Sequence, residues 1–193
     1  QKLIRQLEGQ AAAFADSAGI VLDESVFESF SIKLPVKDVK RLAGIAVQPP
    51  TLSQLMSRTQ AMEQVIEKMM TPAQLAQARE AARGRQASEV SSAMISSWYG
   101  QNPLTALLMS VKTTQLIPDH LPAWNNLAAL FNMCGIQQQA VPILKYCLTK
   151  KPGNSTLLNN MGQAYLGLGD VSTATSYFNQ CLTADALHPE ANR

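Results

Sequence analysis

The side chains with chemical reach are few. His120 and His188 are the only histidines, and Cys134, Cys147 and Cys181 the only cysteines. A closed zinc site needs four such ligands at short spacing, and the chain has neither a Cys-x-x-Cys pair nor a Cys, His or carboxylate pair near either histidine. Both histidines fall in segments that read as turns, where solvated rings are expected. Gly162, Gly167 and Gly169 lack the preceding strand that a phosphate-cradling loop requires. No nucleophile, base and orienting group come together, so the sequence predicts no enzyme activity, no cofactor and no metal. Met56, Met62, Met69 and Met70 are soft-metal ligands by type, but their helical spacing with Leu52, Leu55 and Ile66 predicts a core or docking stripe. Lys33, Lys37, Lys40 and Arg41 are interrupted by Asp38 and read as a solvated face.

What does recur is a set of side-chain amides and the apolar residues around them. Shifting the sequence by 34 places Trp124 on Leu158, Leu127 on Met161, Ala128 on Gly162 and Phe131 on Tyr165. The same shift superimposes Gly135 on Gly169, Ala140 on Ala174, Leu144 on Phe178, Cys147 on Cys181, Leu148 on Leu182 and Pro118 on Pro152. Asn125 and Asn126 fall on Asn159 and Asn160. A period in this range is the signature of stacked supersecondary units.

Inside each unit the apolar positions have helical spacing, first through Trp124, Leu127, Ala128 and Phe131, then through Ala140, Leu144, Cys147 and Leu148. Gly135 or Gly169 separates the two helices, and Pro152 stops the second. Small residues at Ala128, Gly162, Ala140 and Ala174 let helices approach, and the large ones fill the space beside them. A hairpin with one uncovered apolar face must stack on its neighbours, which predicts an all-α solenoid. Trp124-Asn-Asn-Leu127-Ala128-x-x-Phe131 followed by Gly135, Ala140, Leu144 and Pro152 resembles the tetratricopeptide repeat (TPR) family. Leu158-Asn-Asn-Met161-Gly162-x-x-Tyr165 followed by Gly169, Ala174 and Phe178 does the same. Repeats are expected at 121–154 and 155–189, preceded by a degenerate one at 87–120, where Met94 and Ser97 replace the small and aromatic residues. Glu190-Ala-Asn-Arg193 reads as the opening turn of a further repeat, so the array is expected to continue.

An Asn side chain offers a donor and an acceptor and can pair with the C=O and N–H of an extended peptide. The resemblance implies that role for the asparagine before the Leu-Gly position, matched here by Asn126 and Asn160. With Asn125, Ala129, Asn159 and Gln163 these residues form a candidate amide ladder on the concave face, and Trp98 and Tyr99 are candidate aromatic contacts or an end plug. The competing reading is that the asparagines satisfy local backbone groups. The carboxylate clamp known in the family needs Lys and Arg where this chain has Ser91, Ser92, Asn125, Asn126, Asn159 and Asn160, so that subclass is disfavoured. Cys147 and Cys181 read as small buried packing residues. Equivalent points on stacked helices lie about 8–10 Å apart, too far for an unstrained bridge.

Residues 1–86 hold 20 of the 30 charged residues and form a separate, mostly helical N-terminal region without a family motif. Leu3, Leu7, Ala11, Phe14 and Ala18 make one helical stripe, and Phe30, Ile32 and Leu34 alternate as in a short strand. Val36, Val39, Leu42 and Ala46 suit a short helix closed by Pro49 and Pro50. A better stripe runs from Leu52 to Met69, and Thr71-Pro72 with Gln74 reads as a capping box opening a helix toward Gly84.

A hydrophobic content of 46% argues for a buried core, and a net charge of +2 with 6% aromatics argues against nucleic-acid partners. No stretch is apolar enough to span a membrane. The expected function is a protein-interaction scaffold holding a partner peptide or segment in the groove of its repeats. The alternatives are a non-catalytic arm of a larger enzyme, or a structural oligomerisation module of a cell-envelope assembly. Few charges and many Asn, Gln, Ser and Thr suit an exported or periplasmic scaffold, and a homo-oligomer is a further possibility.

Overall fold

A computed structural model of the chain describes residues 48–192. The features expected between Leu3 and Ala46, including the Phe30–Leu34 strand and the lysine-rich face, lie outside the described residues. Among the described residues the chain is all-α: eight helices and no strand. Two compact units divide it, one of residues 51–127 and one that includes residues 128–192.

In the first unit, helix α1 (Leu52–Met69) opens with a capping box. The Thr51 hydroxyl accepts from the Gln54 N–H at 3.2 Å, while the Gln54 carboxamide accepts from the Thr51 N–H at 2.9 Å. Leu55, Thr59, Met62 and Ile66, spaced three or four apart, are its buried stripe. The Thr59 hydroxyl is satisfied by the Met56 carbonyl at 2.8 Å. Helix α2 (Pro72–Ala82) begins with the expected Thr71–Gln74 box and Pro72 in its first turn, and Gly84 follows its end at φ 66°. It buries only Ala78 and leaves most of its surface open.

Helices α3 (Ala87–Tyr99) and α4 (Pro103–Leu116) form a hairpin. Helix α4 also packs on α1 and α2 and is buried continuously from Thr105 to Val111. Its buried hydroxyls bond back to the preceding turn, Thr113 to the Met109 carbonyl at 2.9 Å and Thr114 to the Val111 carbonyl at 2.7 Å, so they carry no unsatisfied group into the core. Across the α1–α4 contact, Lys112 Nζ bonds one oxygen of Glu63 and Gln115 Nε2 donates to the other at 2.7 Å.

Helix α5 (Leu121–Met133) contributes residues to both units, and α6 (Gln137–Lys150), α7 (Ser155–Gly167) and α8 (Val171–Ala184) belong to the second. Trp124, Leu127, Ala128 and Phe131 are fully buried, and the Trp124 indole N–H donates to the Pro118 carbonyl at 2.7 Å. In the second unit α7 packs on both α6 and α8. A Cβ placed on Gly162 would lie 2.5 Å from the Phe178 ring, which is why no side chain stands there. Pro142 lies inside α6, where it removes one intrahelical donor.

The 34-residue period is written into the backbone. The first helix of every hairpin closes with the same pair of bonds: Asn102 N–H to Ser97 O, Ile136 N–H to Phe131 O and Asp170 N–H to Tyr165 O, at 2.8, 2.9 and 2.9 Å. The partner bonds run from Gln101 to Trp98, Gly135 to Asn132 and Gly169 to Leu166. This is the Schellman closure, which requires a left-handed residue after the helix end. Gln101, Gly135 and Gly169 supply it at φ 58°, 76° and 77°. The second helices also end alike, Ile117 on Thr113, Lys151 on Cys147 and Asp185 on Cys181. The hairpin at 87–116 therefore keeps the register of its successors even though Met94 and Ser97 break the side-chain pattern. These are helical hairpins whose closing turns recur at a 34-residue interval.

After α8 the chain makes turns rather than helix through 192. Here one expectation is corrected. His188 is not a solvated turn residue: it is buried, and its Nδ1 accepts from the Ala191 N–H at 3.4 Å. The Asn192 carboxamide donates to the Ala186 and His188 carbonyls at 3.1 and 3.0 Å and holds the turn closed. His120 is exposed as expected.

Candidate functional site

The candidate residues stand on the first helix of each hairpin, in matching registers. On α5, Asn126 is exposed, while Asn125 and Ala129 are half-buried. On α7, Asn159 and Asn160 are buried and Gln163 is half-buried. The α3 residues in the same registers are Ser91, Ser92 and Ile95, and Ile95 is 49% exposed. Trp98 and Tyr99 close α3, the first half-buried and the second 82% exposed.

Equal register does not give the asparagines equal surroundings. Asn159 is fully buried, and its Nδ2 donates to Glu190 Oε2 at 2.9 Å, so the turn after α8 reaches back onto α7. Its Oδ1 is buried without a hydrogen-bond partner. The main-chain carbonyl of Asn160 accepts from Asn132 Nδ2 at 2.9 Å. Asn126 and Gln163, by contrast, have exposed or half-exposed side chains. Within the second unit, Asn159, Asn160 and Gln163 come together along α7, on adjacent positions and one turn apart.

Two residues central to this region were not singled out by the repeat. Asn132 ties the end of α5 to α7, and Gln137 lies against Gly167, where an added Cβ would stand 2.5 Å from its carboxamide nitrogen. The Gln137 amide in turn donates to the Asn132 carbonyl at 3.3 Å. Position 132 corresponds to Trp98 and Leu166, so self-comparison gave no repeated signal for it. The long-range partner Glu190 lies 31 residues beyond Asn159 and likewise outside any repeated pair.

The titratable groups nearby are set for packing. The three cysteines are free thiols; burial pushes Cys134 and Cys147 up to about 12 and raises Cys181. Thiols held neutral are poor nucleophiles and poor metal ligands. Tyr165 and Tyr177 stack at 5.6 Å between centroids, and burial, with the Tyr177 and Asp170 charges behind it, pushes Tyr165 up to about 12. Burial lowers Lys145. Among the described residues no group of three or more His, Cys, Asp and Glu is placed to hold a metal, and no helix is long and apolar enough to cross a membrane.

No protein-family model matches the chain, and no curated protein matches it. Among solved structures it is similar to one described as "Crystal structure of MamA protein", at 14% sequence identity and a TM-score of 0.48, over 93% of this chain and 95% of that one.

Proposed function

We propose that the chain is a non-catalytic interaction scaffold of the tetratricopeptide repeat family that holds an extended partner segment along the first helices of its hairpins. The observation behind this reading is the identical Schellman closure at Gln101, Gly135 and Gly169. It gives α3, α5 and α7 the same closing turn, and in sequence the at least partly accessible Ile95, Ala129 and Gln163 stand 34 residues apart, with Asn126 three residues before Ala129. Such a series suits a partner that itself repeats, namely a polypeptide backbone. Asn126 and Gln163 supply donor and acceptor pairs, while Ile95 and Tyr99 supply apolar area. Asn159 serves the fold through Glu190, and Asn160 contributes mainly by positioning.

A net hydrogen bond is worth about 0.5–1.5 kcal/mol, so a few amide contacts need apolar burial beside them to reach about micromolar affinity. The test is selection of peptides from a displayed random library on the intact chain, followed by anisotropy titration of the winners. Affinity should fall at least about fivefold in the Asn126→Ala, Gln163→Ala double variant with its melting temperature unchanged. Equal affinity in the two proteins would refute this reading.

A further inference from the structure

The turn after α8 meets α7 at a side chain that is half satisfied. Asn159 is fully buried; its Nδ2 donates to Glu190 Oε2, and its Oδ1 is buried without a hydrogen-bond partner. Exchanging the two amide atoms would not mend this, because it would set Oδ1 against the Glu190 carboxylate, acceptor against acceptor. A buried acceptor with no donor opposes the arrangement that buries it, so the closed turn carries an uncompensated cost. The turn is lightly attached. Its hydrogen bonds run among its own residues: Asp185 O accepts from the His188 N–H at 3.1 Å, Asp185 Oδ1 from the Leu187 N–H at 3.1 Å and His188 O from the Asn192 N–H at 3.3 Å, beside the Ala191 and Asn192 bonds already described. His188 is the one buried residue among 185–192, Glu190 is exposed, and Leu187 is 87% exposed. A segment bonded mainly to itself moves as a piece, with Asp185, whose N–H closes α8 on the Cys181 carbonyl, as its pivot.

We propose that residues 185–192 are a latch, closed over Asn159 by Glu190, which a partner segment opens by laying its own main chain on the Asn159 carboxamide. This rests on the scaffold reading above and adds to it a rung that the resting chain covers. The unmet chemistry selects the ligand. A carboxylate accepts and does not donate, so Glu190 serves Nδ2 and leaves Oδ1 unserved. Extended main chain brings a C=O for Nδ2 and an N–H for Oδ1, and so satisfies both ends of the amide. A carboxylate or a metal cation satisfies one end. Gln163 stands one turn further along α7, roughly 6 Å away along the axis, so a segment seated on Gln163 passes within reach of Asn159.

The test is anisotropy titration of a library-selected peptide against the full chain and its variants. Apparent affinity scales with the fraction of chains that are open, so Glu190→Ala, which releases the turn, should bind at least about threefold more tightly than the wild type. Glu190→Gln keeps an acceptor for Nδ2 and should bind no more tightly than the wild type. Adding Asn159→Ala to Glu190→Ala should abolish the gain. A second readout needs no variant: amide hydrogen exchange at Leu187, His188, Ala191 and Asn192 should quicken in the wild-type chain when the peptide saturates it. Equal or weaker binding by Glu190→Ala, a gain that survives Asn159→Ala, or slower exchange of those amides with peptide would each overturn the latch. Any of these results beside a loss of affinity in the Asn126→Ala, Gln163→Ala variant removes the latch and leaves the scaffold reading standing. A peptide indifferent to all four positions, or no peptide selected on either the wild type or Glu190→Ala, removes both.

Discussion

A missing side chain at Gly162 makes room for a ring at Phe178. In sequence, the positions one and two periods earlier are Ala128 with Leu144 and Met94 with Ser110, so the second-helix residue shrinks from Phe to Leu to Ser as the first-helix residue grows from Gly to Ala to Met. Cores tolerate such volume-conserving exchanges and resist one-sided ones. Gly162→Ala gains up to about 1 kcal/mol of helix propensity but overpacks the crossing by about 1–3 kcal/mol. A net loss of about 1–2 kcal/mol is expected in urea denaturation, and adding Phe178→Leu should restore most of it, because touching residues are not additive. The thiols make a second prediction. Cys134 and Cys147, raised to about 12 in the folded chain, stay protonated at pH values where the unfolded chain loses its thiol protons. Stability is then full below about pH 8.5 and falls above it by about 1.4 kcal/mol per pH unit per thiol until the folded values are reached. Denaturation curves from pH 7.5 to 10 should show that decline, and a flat profile would contradict the burial assigned to these groups. Single residues were legible where the repeat marked them: Trp124, Gly162 and Cys147 are buried as their registers demanded. His188 and Asn132 were not, because the contacts that define them come from turns and helix ends with no repeated counterpart.

Helices announce their ends more clearly than their partners. Thr71, Pro72 and Gln74 opened α2 as expected, and Pro152 followed the end of α6, because caps and prolines act through local geometry that sequence alone determines. The hairpin closures were legible at Gly135 and Gly169 but concealed at Gln101, where a residue with a Cβ occupies the left-handed region. That conformation costs a non-glycine residue about 1–2 kcal/mol, so Gln101→Gly should raise stability by about 0.5–1 kcal/mol after the entropy gained by the unfolded chain. Gly135→Gln should lower it by about 1 kcal/mol or more. Parallel thermal melts of the two variants decide this, and a destabilised Gln101→Gly would deny that the first hairpin closes like the others. Between α1 and α4, Glu63 accepts from both Lys112 and Gln115. Glu63→Ala should cost about 1–3 kcal/mol by leaving a half-buried ammonium and a carboxamide without their acceptor, and Glu63→Gln should cost less. Equal losses in the two variants would assign the effect to packing instead.

For the molecule as a whole, the all-helical class and the interval of 34 could be read before any coordinate, since repetition multiplies a weak local signal. The candidate binding residues were legible as registers and not as surfaces. Asn126 on α5 and Asn159 on α7 share a residue type and a place on the first helix of a hairpin, yet one side chain is exposed and the other is fully buried against Glu190, a difference set by tertiary contacts absent from the pattern. The most direct measurement is an amide chemical-shift map of the chain titrated with a peptide selected from the displayed library. The account predicts perturbations that recur at the 34-residue interval on the first helices, around 92–95, 126–129 and 160–163. Perturbations confined to the second helices, or scattered with no such interval, would contradict it.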